Sequence, residues 1–258
     1  MRSVPSISRM IVTVLGVADL HQRRQLFDQL ADAVTLHKPD VLCCIGDFLD
    51  AMEPSTAPGM LTPEQCADRL SSLVCDVVLS RGNHEDENWF SFERQWRKSG
   101  KTLNALHGSA YRHGQLIIVG FPCWTGSGDA SYSVGRELPN YAPDLWLRRI
   151  IQTVGPAART LWISHEPCTP KLAANFFWEP TWGDAVADWQ PRIVVSGHDH
   201  TMPIRTGKWY VRIKQTICIN CGQMVYPTPG TLQYCVINFT FPGTHPSLPT
   251  RFQFSRFG

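Results

Sequence analysis

Apolar runs recur along the chain, and five of them stop at a cluster of Asp, Asn or His. Met10 to Ala18 leads into Asp19-Leu20-His21, and Val41 to Ile45 leads into Gly46-Asp47-Phe48-Leu49-Asp50. Cys75 to Ser80 leads into Arg81-Gly82-Asn83-His84-Glu85, Thr160 to Ser164 into His165, and Arg192 to Ser196 into Gly197-His198-Asp199-His200. Short apolar runs bounded by turn residues predict buried strands. Between the first two, Arg23 to His37 puts Leu26, Phe27, Leu30, Ala33 and Val34 on one helical face, and Pro39 stops it. Pro63 suits a first helical turn and predicts a helix to about Leu73. Trp89 to Trp96 and Asp144 to Val154 also have helical spacing.

The second half reads differently. Thr102 to Leu106, Ser109 to Arg112 and Gln115 to Phe121 are strand-like, with His113-Gly114 as a hairpin turn that makes the pairing antiparallel. Met52 to Thr62 and Gly126 to Pro143 read as loops, and Leu172 to Trp189 as aromatic and irregular. Short strands follow at Trp209 to Ile213, Thr216 to Ile219, Thr231 to Phe239 and Arg251 to Phe254. Helix and strand alternate early and strands dominate late. The expectation is one α/β domain over residues 1–258, with two packed mixed sheets flanked by helices. If the five strands with polar ends run side by side, their clusters collect at one rim.

Composition narrows the picture. Hydrophobic residues make up 43% and charged residues 18%, as in an ordinary soluble domain. A net charge of +2, without a run of Lys and Arg, argues against nucleic acid and against an acidic membrane surface as partners. The nine cysteines have no framework spacing and several sit inside apolar runs, so they read as reduced core thiols of a reducing, cytoplasmic compartment. Cys218 and Cys221 form a lone C-x-x-C without a second pair, which does not suit a zinc ribbon. Met10 to Ala18 lacks a small-residue cleavage site and reads as a strand rather than a signal peptide, and no stretch is long enough to span a bilayer.

Singly, the polar clusters say little. An Asp-x-His pair is more often a strand exit than a ligand pair, and a solvated Gly-Asp turn is common. His165 alone reads as a strand-end histidine. Gly197-His198-Asp199-His200 is more telling, because alternate residues of an extended segment point the same way and can grip a metal from one side. Together and in order, the five form a pattern of D-x-H, G-D-x-x-D, G-N-H-E, a separate His and G-H-x-H.

That pattern resembles the calcineurin-like metallophosphoesterase superfamily, from Asp19 to His200, with a looser likeness to its closing loop at Asn220-Cys221-Gly222-Gln223. The resemblance implies a sandwich of two mixed sheets and two divalent metal ions. Asp19, His21, Asp47 and His200 would hold one ion, and Asp47, Asn83, His165 and His198 the other, with Asp47 shared. Mixed imidazole and carboxylate donors suit manganese, iron, zinc or nickel better than calcium. Two such ions, ~3.5–4 Å apart, can share a hydroxide that attacks phosphorus in line. His84 matches the position that protonates the leaving oxygen, and Asp50 the residue that orients it. The implied substrate is a small phosphate monoester or diester, or a nucleotide.

Departures from the pattern bear on substrate. Phosphoprotein phosphatases of the superfamily carry Arg-Gly after the second aspartate of G-D-x-x-D, where this chain has Ala51-Met52, and Gly after D-x-H, where it has Gln22. Arg81 could serve a phosphate or the surface, and Glu85 and Glu166 could anchor imidazoles or be solvated. Phe176, Phe177, Trp178, Trp182 and Trp189 could wall the site, but a satellite core under a long loop fits them better. His107, His113 and His245 match no motif and read as structural. The rival functions are a metal-binding scaffold without chemistry and a nuclease; the retained His84 and Asp50 weigh against the first, and the small charge against the second.

Overall fold

A computed structural model describes residues 10–50, 57–121, 143–154, 159–173, 180–223, 230–241 and 251–257. The first sheet is built from β1 (Met10–Val17), β2 (Val41–Ile45), β3 (Asp76–Ser80), β4 (Asn104–Ala105), β11 (Tyr234–Phe241) and β12 (Arg251–Phe257), in the order β12-β11-β1-β2-β3-β4. The second contains β5 (Ser109–His113), β6 (Leu116–Phe121), β7 (Thr160–Ser164), β8 (Ile193–Ser196), β9 (Tyr210–Ile213) and β10 (Thr216–Asn220), in the order β5-β6-β7-β8-β10-β9. Both are mixed: β1, β2 and β3 run parallel, as do β6, β7 and β8, while β11, β5 and β9 pair antiparallel.

The two-residue period of a strand decides which side chains face which layer. Along β1 and β2, Val12, Val14, Val41, Cys43 and Ile45 face the second sheet and meet Ile118, Leu161, Ile163 and Val195 there. Their neighbours Leu15, Val17, Leu42 and Cys44 face outward, onto a core with α1 (Arg24–His37), α2 (Pro63–Ser72) and α3 (Asp86–Lys98). The second sheet does the same on its outer face, where Val119, Trp162, Val194 and Cys218 pack with α4 (Pro143–Val154) and α5 (Pro180–Trp189). Strands buried on both faces read as continuous apolar runs, which is why they were visible in the sequence.

Local signals mark several ends. Thr62 and Gln65 form a reciprocal capping box at the start of α2, with Pro63 just inside it. Lys38 ends α1 in the left-handed conformation, returning its N–H to Val34. Two expectations need correction. Leu172 to Trp189 is not irregular throughout, since Pro180–Trp189 is helical. A short helix, α6 (Met202–Thr206), also follows the Gly-His-x-His segment. Phe176, Phe177, Trp178 and His245 lie outside the described residues. Trp182 is fully buried and stacks on Trp162 at 5.3 Å, and Trp189 packs at the margin of the same core. These two belong to the satellite core rather than to a site wall. The described cysteines are free thiols, nearly all buried, and no helix among the described residues is long and apolar enough to cross a membrane.

Candidate metal centre

The polar strand ends do gather, though not in one row. β1, β2 and β3 are parallel neighbours in one sheet, and β7 and β8 are parallel neighbours in the other. Their carboxyl ends face each other across the sandwich, three against two. Past the strands the chains stay paired: Asp19 N–H donates to the Gly46 carbonyl (3.0 Å), His21 N–H to Asp47 (2.8 Å) and Gly46 N–H to Ser80 (2.8 Å). On the other side, Gly197 N–H donates to the His165 carbonyl at 2.9 Å. A hydroxyl ties the sheets together, Ser80 Oγ donating to the Phe121 carbonyl at 2.8 Å.

The backbone is strained where it turns into the site. Asp19, His21, Gln22, Asp47 and His198 all have positive φ, a conformation that costs a non-glycine residue of order 1–3 kcal/mol. Two glycines let the turns pack. A Cβ on Gly46 (φ +71°) would collide with His165 Nδ1, and one on Gly82 with Asp47 Oδ1.

Asp47 is the hub. Its Oδ2 lies 3.0 Å from His165 Nε2, 3.8 Å from His21 Nε2 and 3.9 Å from His84 Nε2, while its Oδ1 accepts from the His84 N–H at 2.9 Å. Asp19 Oδ1 lies 3.4 Å from His200 Nε2, and both Asp19 oxygens accept from the His198 N–H. His21 Nε2 and His200 Nε2 are 3.3 Å apart, and His198 Nδ1 and His165 Nε2 are 3.1 Å apart. Asn83 Oδ1 approaches His165 Nε2 at 3.0 Å. Thus Asp19, His21 and His200 converge on one point, and Asp47, His165 and His198 on another. All seven residues expected to hold metal lie in this cluster.

The donor set fits cations. His165 Nδ1 faces the Ile45 carbonyl at 3.2 Å, so that nitrogen carries hydrogen and Nε2 presents its lone pair to the centre. There it meets a carboxylate oxygen and an amide oxygen at 3.0 Å each. Lone pairs packed this closely in a buried site need a positive charge between them, a proton or a metal. Without metal the proton is favoured: burial lowers His165, but Asp47 and then Asp19 outweigh it and push the imidazole up to about 10. Burial also raises Asp47, yet His165, His21 and His84 hold it well below the usual carboxylate range. His198, desolvated and beside His165, is held down at about 4 and stays neutral, the form that ligates metal.

Asp50 is fully buried and stands between two imidazoles. Its Oδ1 is 3.4 Å from His84 Nδ1 and its Oδ2 3.4 Å from His21 Nδ1. It therefore faces His84 and a second histidine, His21, whose other nitrogen points to the donor cluster. The His84 side chain keeps 22% exposure, whereas those of His21, Asp47 and His165 keep 2% or less. Burial lowers His84, but the Asp50 carboxylate beside it and the nearby Asp47 raise it overall.

Several supporting residues have tasks that the sequence reading left open or missed. Glu85 neither anchors an imidazole nor is solvated: it is buried and its carboxylate accepts from the N–H groups of Gly82 (2.5 Å), Asp47 (3.1 Å) and Leu49 (3.1 Å). It clasps two strand ends at once. Glu166 is buried as well. Asp199 caps the turn after His198, accepting from the N–H groups of Thr201 and Met202. Asn220 Nδ2 donates to the Leu172 and Asp199 carbonyls, which gives the loose closing motif a structural task. Arg81 stacks over the Trp89 ring at 5.1 Å. His113 and Tyr111 both bond Asp76, away from the cluster, and His107 is half-buried between β4 and β5.

The two-sheet α/β sandwich gathers carboxylates and imidazoles at facing strand ends, in groups able to hold metal ions. The model of the calcineurin-like phosphoesterase family matches residues 12–202, and the chain belongs to that family. Among solved structures, it is similar to a dimetal phosphatase from Danio rerio, at 14% identity over 94% of this chain and 98% of that one, with a TM-score of 0.58. A protein of Thermus thermophilus aligns at 10% identity over 90% and 99% of the two chains, with a TM-score of 0.59. The NAD nucleotidase of Haemophilus influenzae aligns at 9% identity and a TM-score of 0.55, covering 96% of this chain and 50% of its own. No curated protein matches. These likenesses are too remote in sequence to carry more than the fold.

Proposed function

We propose that the protein is a phosphoesterase that works with two divalent metal ions and hydrolyses small phosphate esters. The supporting observation is the convergence on Asp47: one buried carboxylate within 4 Å of three imidazoles drawn from three separate strand ends. Asp19, His21, Asp47 and His200 would hold one ion, and Asp47, Asn83, His165 and His198 the other. When bound, the ions would supply positive charge for the phosphate oxygens and an acidified water as nucleophile.

The chain's own residues do the rest. The Ile45 carbonyl sets the His165 tautomer, so its Nε2 is the nitrogen offered inward. The Asp50 carboxylate faces His84 Nδ1 at 3.4 Å and would accept from its N–H, which leaves Nε2–H as the proton for the leaving oxygen. Asp50 and Asp47 raise the basicity of His84 above that of an ordinary imidazole, which favours the protonated form from which an acid acts. Its partial exposure leaves it on the open side of the cluster, where a phosphate ester enters. An acid and its orienter, kept in place beside a donor cluster, favour an enzyme over a scaffold.

The test is turnover. Protein loaded with manganese, iron, zinc or nickel should hydrolyse aryl phosphate monoesters or diesters, and Asp47→Ala should abolish it. His84→Ala should lower kcat by roughly 10²–10⁴-fold. Absence of turnover across these metals and both ester types would overturn the reading.

A further inference from the structure

Gln22 follows His21 directly, has positive φ (53°), and is fully buried. A long polar side chain in such a place must find partners, because an unpaired buried amide costs free energy on the scale of a lost hydrogen bond. Gln22 Oε1 accepts from the Asp50 N–H at 2.7 Å, and Nε2 donates to the Leu61 carbonyl at 2.5 Å. Its own backbone is pinned on both sides, N–H to the Phe48 carbonyl (3.0 Å) and carbonyl to the Leu61 N–H (2.8 Å). Asn88, from the first turn of α3, completes the set: its Nδ2 donates to the Asp50 carbonyl at 3.0 Å and reaches Gln22 Oε1 at 3.4 Å.

Both polar groups of the Asp50 backbone are thus held by side chains, one from the end of β1 and one from α3. Only the carboxylate of Asp50 is left to face His84 and His21. Asp50 itself belongs to no strand or helix, so no backbone ladder sets the angle of this residue. The residue type matters as well. Glycine at position 22 could make the backbone bonds, but it would leave the Asp50 N–H without this acceptor.

We propose that Gln22, braced by Asn88, is a positioning residue of the acid step: it fixes Asp50, and through Asp50 the ring of His84. The inference rests on the reading of His84 as the proton donor. A mispositioned acid harms an ester according to how much protonation its leaving group needs. A nitrophenolate departs nearly unaided, whereas a phenolate of higher pKa does not. Overall loosening of the site would lower both rates alike.

The experiment compares the metal-loaded wild type with Gln22→Met, which keeps the volume and removes both hydrogen bonds, with Asn88→Ala, a milder change at a half-buried position, and with His84→Ala. Each is assayed on the 4-nitrophenyl and phenyl esters of the same phosphate, and metal content is measured alongside. Compared at saturating metal, Gln22→Met and Asn88→Ala are expected to lower kcat on the phenyl ester about tenfold or more beyond any fall on the nitrophenyl ester. His84→Ala should show the same bias more strongly. If His84→Ala is selective but the other two variants lower both esters equally, or neither, the positioning role is overturned and the acid reading stands. If no variant is selective, both fall.

Discussion

Asp47 Oδ2 and His165 Nε2 lie 3.0 Å apart in a pocket closed to solvent, with the other His165 nitrogen turned to the Ile45 carbonyl. The contact is attractive only if something positive sits in it. In the metal-free protein that charge is a proton, held because Asp47 and Asp19 push His165 up to about 10. A divalent ion must displace it. Titrating chelator-treated protein with a divalent metal near pH 7.5, in buffers of different ionisation enthalpy, should therefore show release of about one proton. No proton release would contradict the assignment.

The same contact sets a pH dependence for the metal-free fold. His165 has a folded pKa above its unfolded value of about 6.5. Its contribution is therefore complete below that value and is lost as pH rises toward about 10. Asp47, held below the carboxylate range, contributes above the unfolded carboxylate pKa and loses that as pH falls. The thermal midpoint of chelator-treated protein should decline from pH 6.5 to 10, and His165→Gln should flatten the decline.

Gly46→Ala drives a Cβ into the His165 ring at a backbone φ of +71°. Overpacking and left-handed strain together should cost about 2–5 kcal/mol and release metal. Gly59→Ala, at φ +81° with nothing within 4 Å, carries only the strain term and should cost about 1 kcal/mol without affecting metal content. Denaturant titration of both separates close packing from backbone strain.

Glu85→Gln removes one of two acceptor oxygens that serve three buried N–H groups and points an amide N–H at a backbone donor. A loss of about 1–3 kcal/mol in unfolding free energy is expected, with weakened metal binding because the Asp47 turn is no longer clasped. An unchanged denaturation midpoint would show that Glu85 does not hold these strand ends together.

The central strands β2, β6, β7, β8 and β10 were legible because each is buried along its whole length and bounded by glycine or a polar residue. The candidate site was legible because each of the five strands ends in its own polar cluster, and parallel neighbours carry those ends to the same side of their sheet. What the pattern could not convey is that those ends face each other from two sheets, a property of strand order rather than of any local run. The helix Pro180–Trp189 was obscured by Gly183, which weakens helical propensity. A Cβ there would meet the Cys168 carbonyl oxygen at 2.6 Å, so tertiary packing imposes the glycine. Gln22, Glu85 and Asn88 act on backbone groups of residues distant in sequence, and no spacing along the chain announces such contacts.

Metal stoichiometry bears on the centre most directly. Chelator-treated protein titrated with manganese, and read by elemental analysis after dialysis, should saturate at two ions per chain. Asp47→Ala should lose most of that capacity, because the shared ligand serves both positions. Saturation at one ion, at none, or at two in the variant would contradict a centre organised around Asp47.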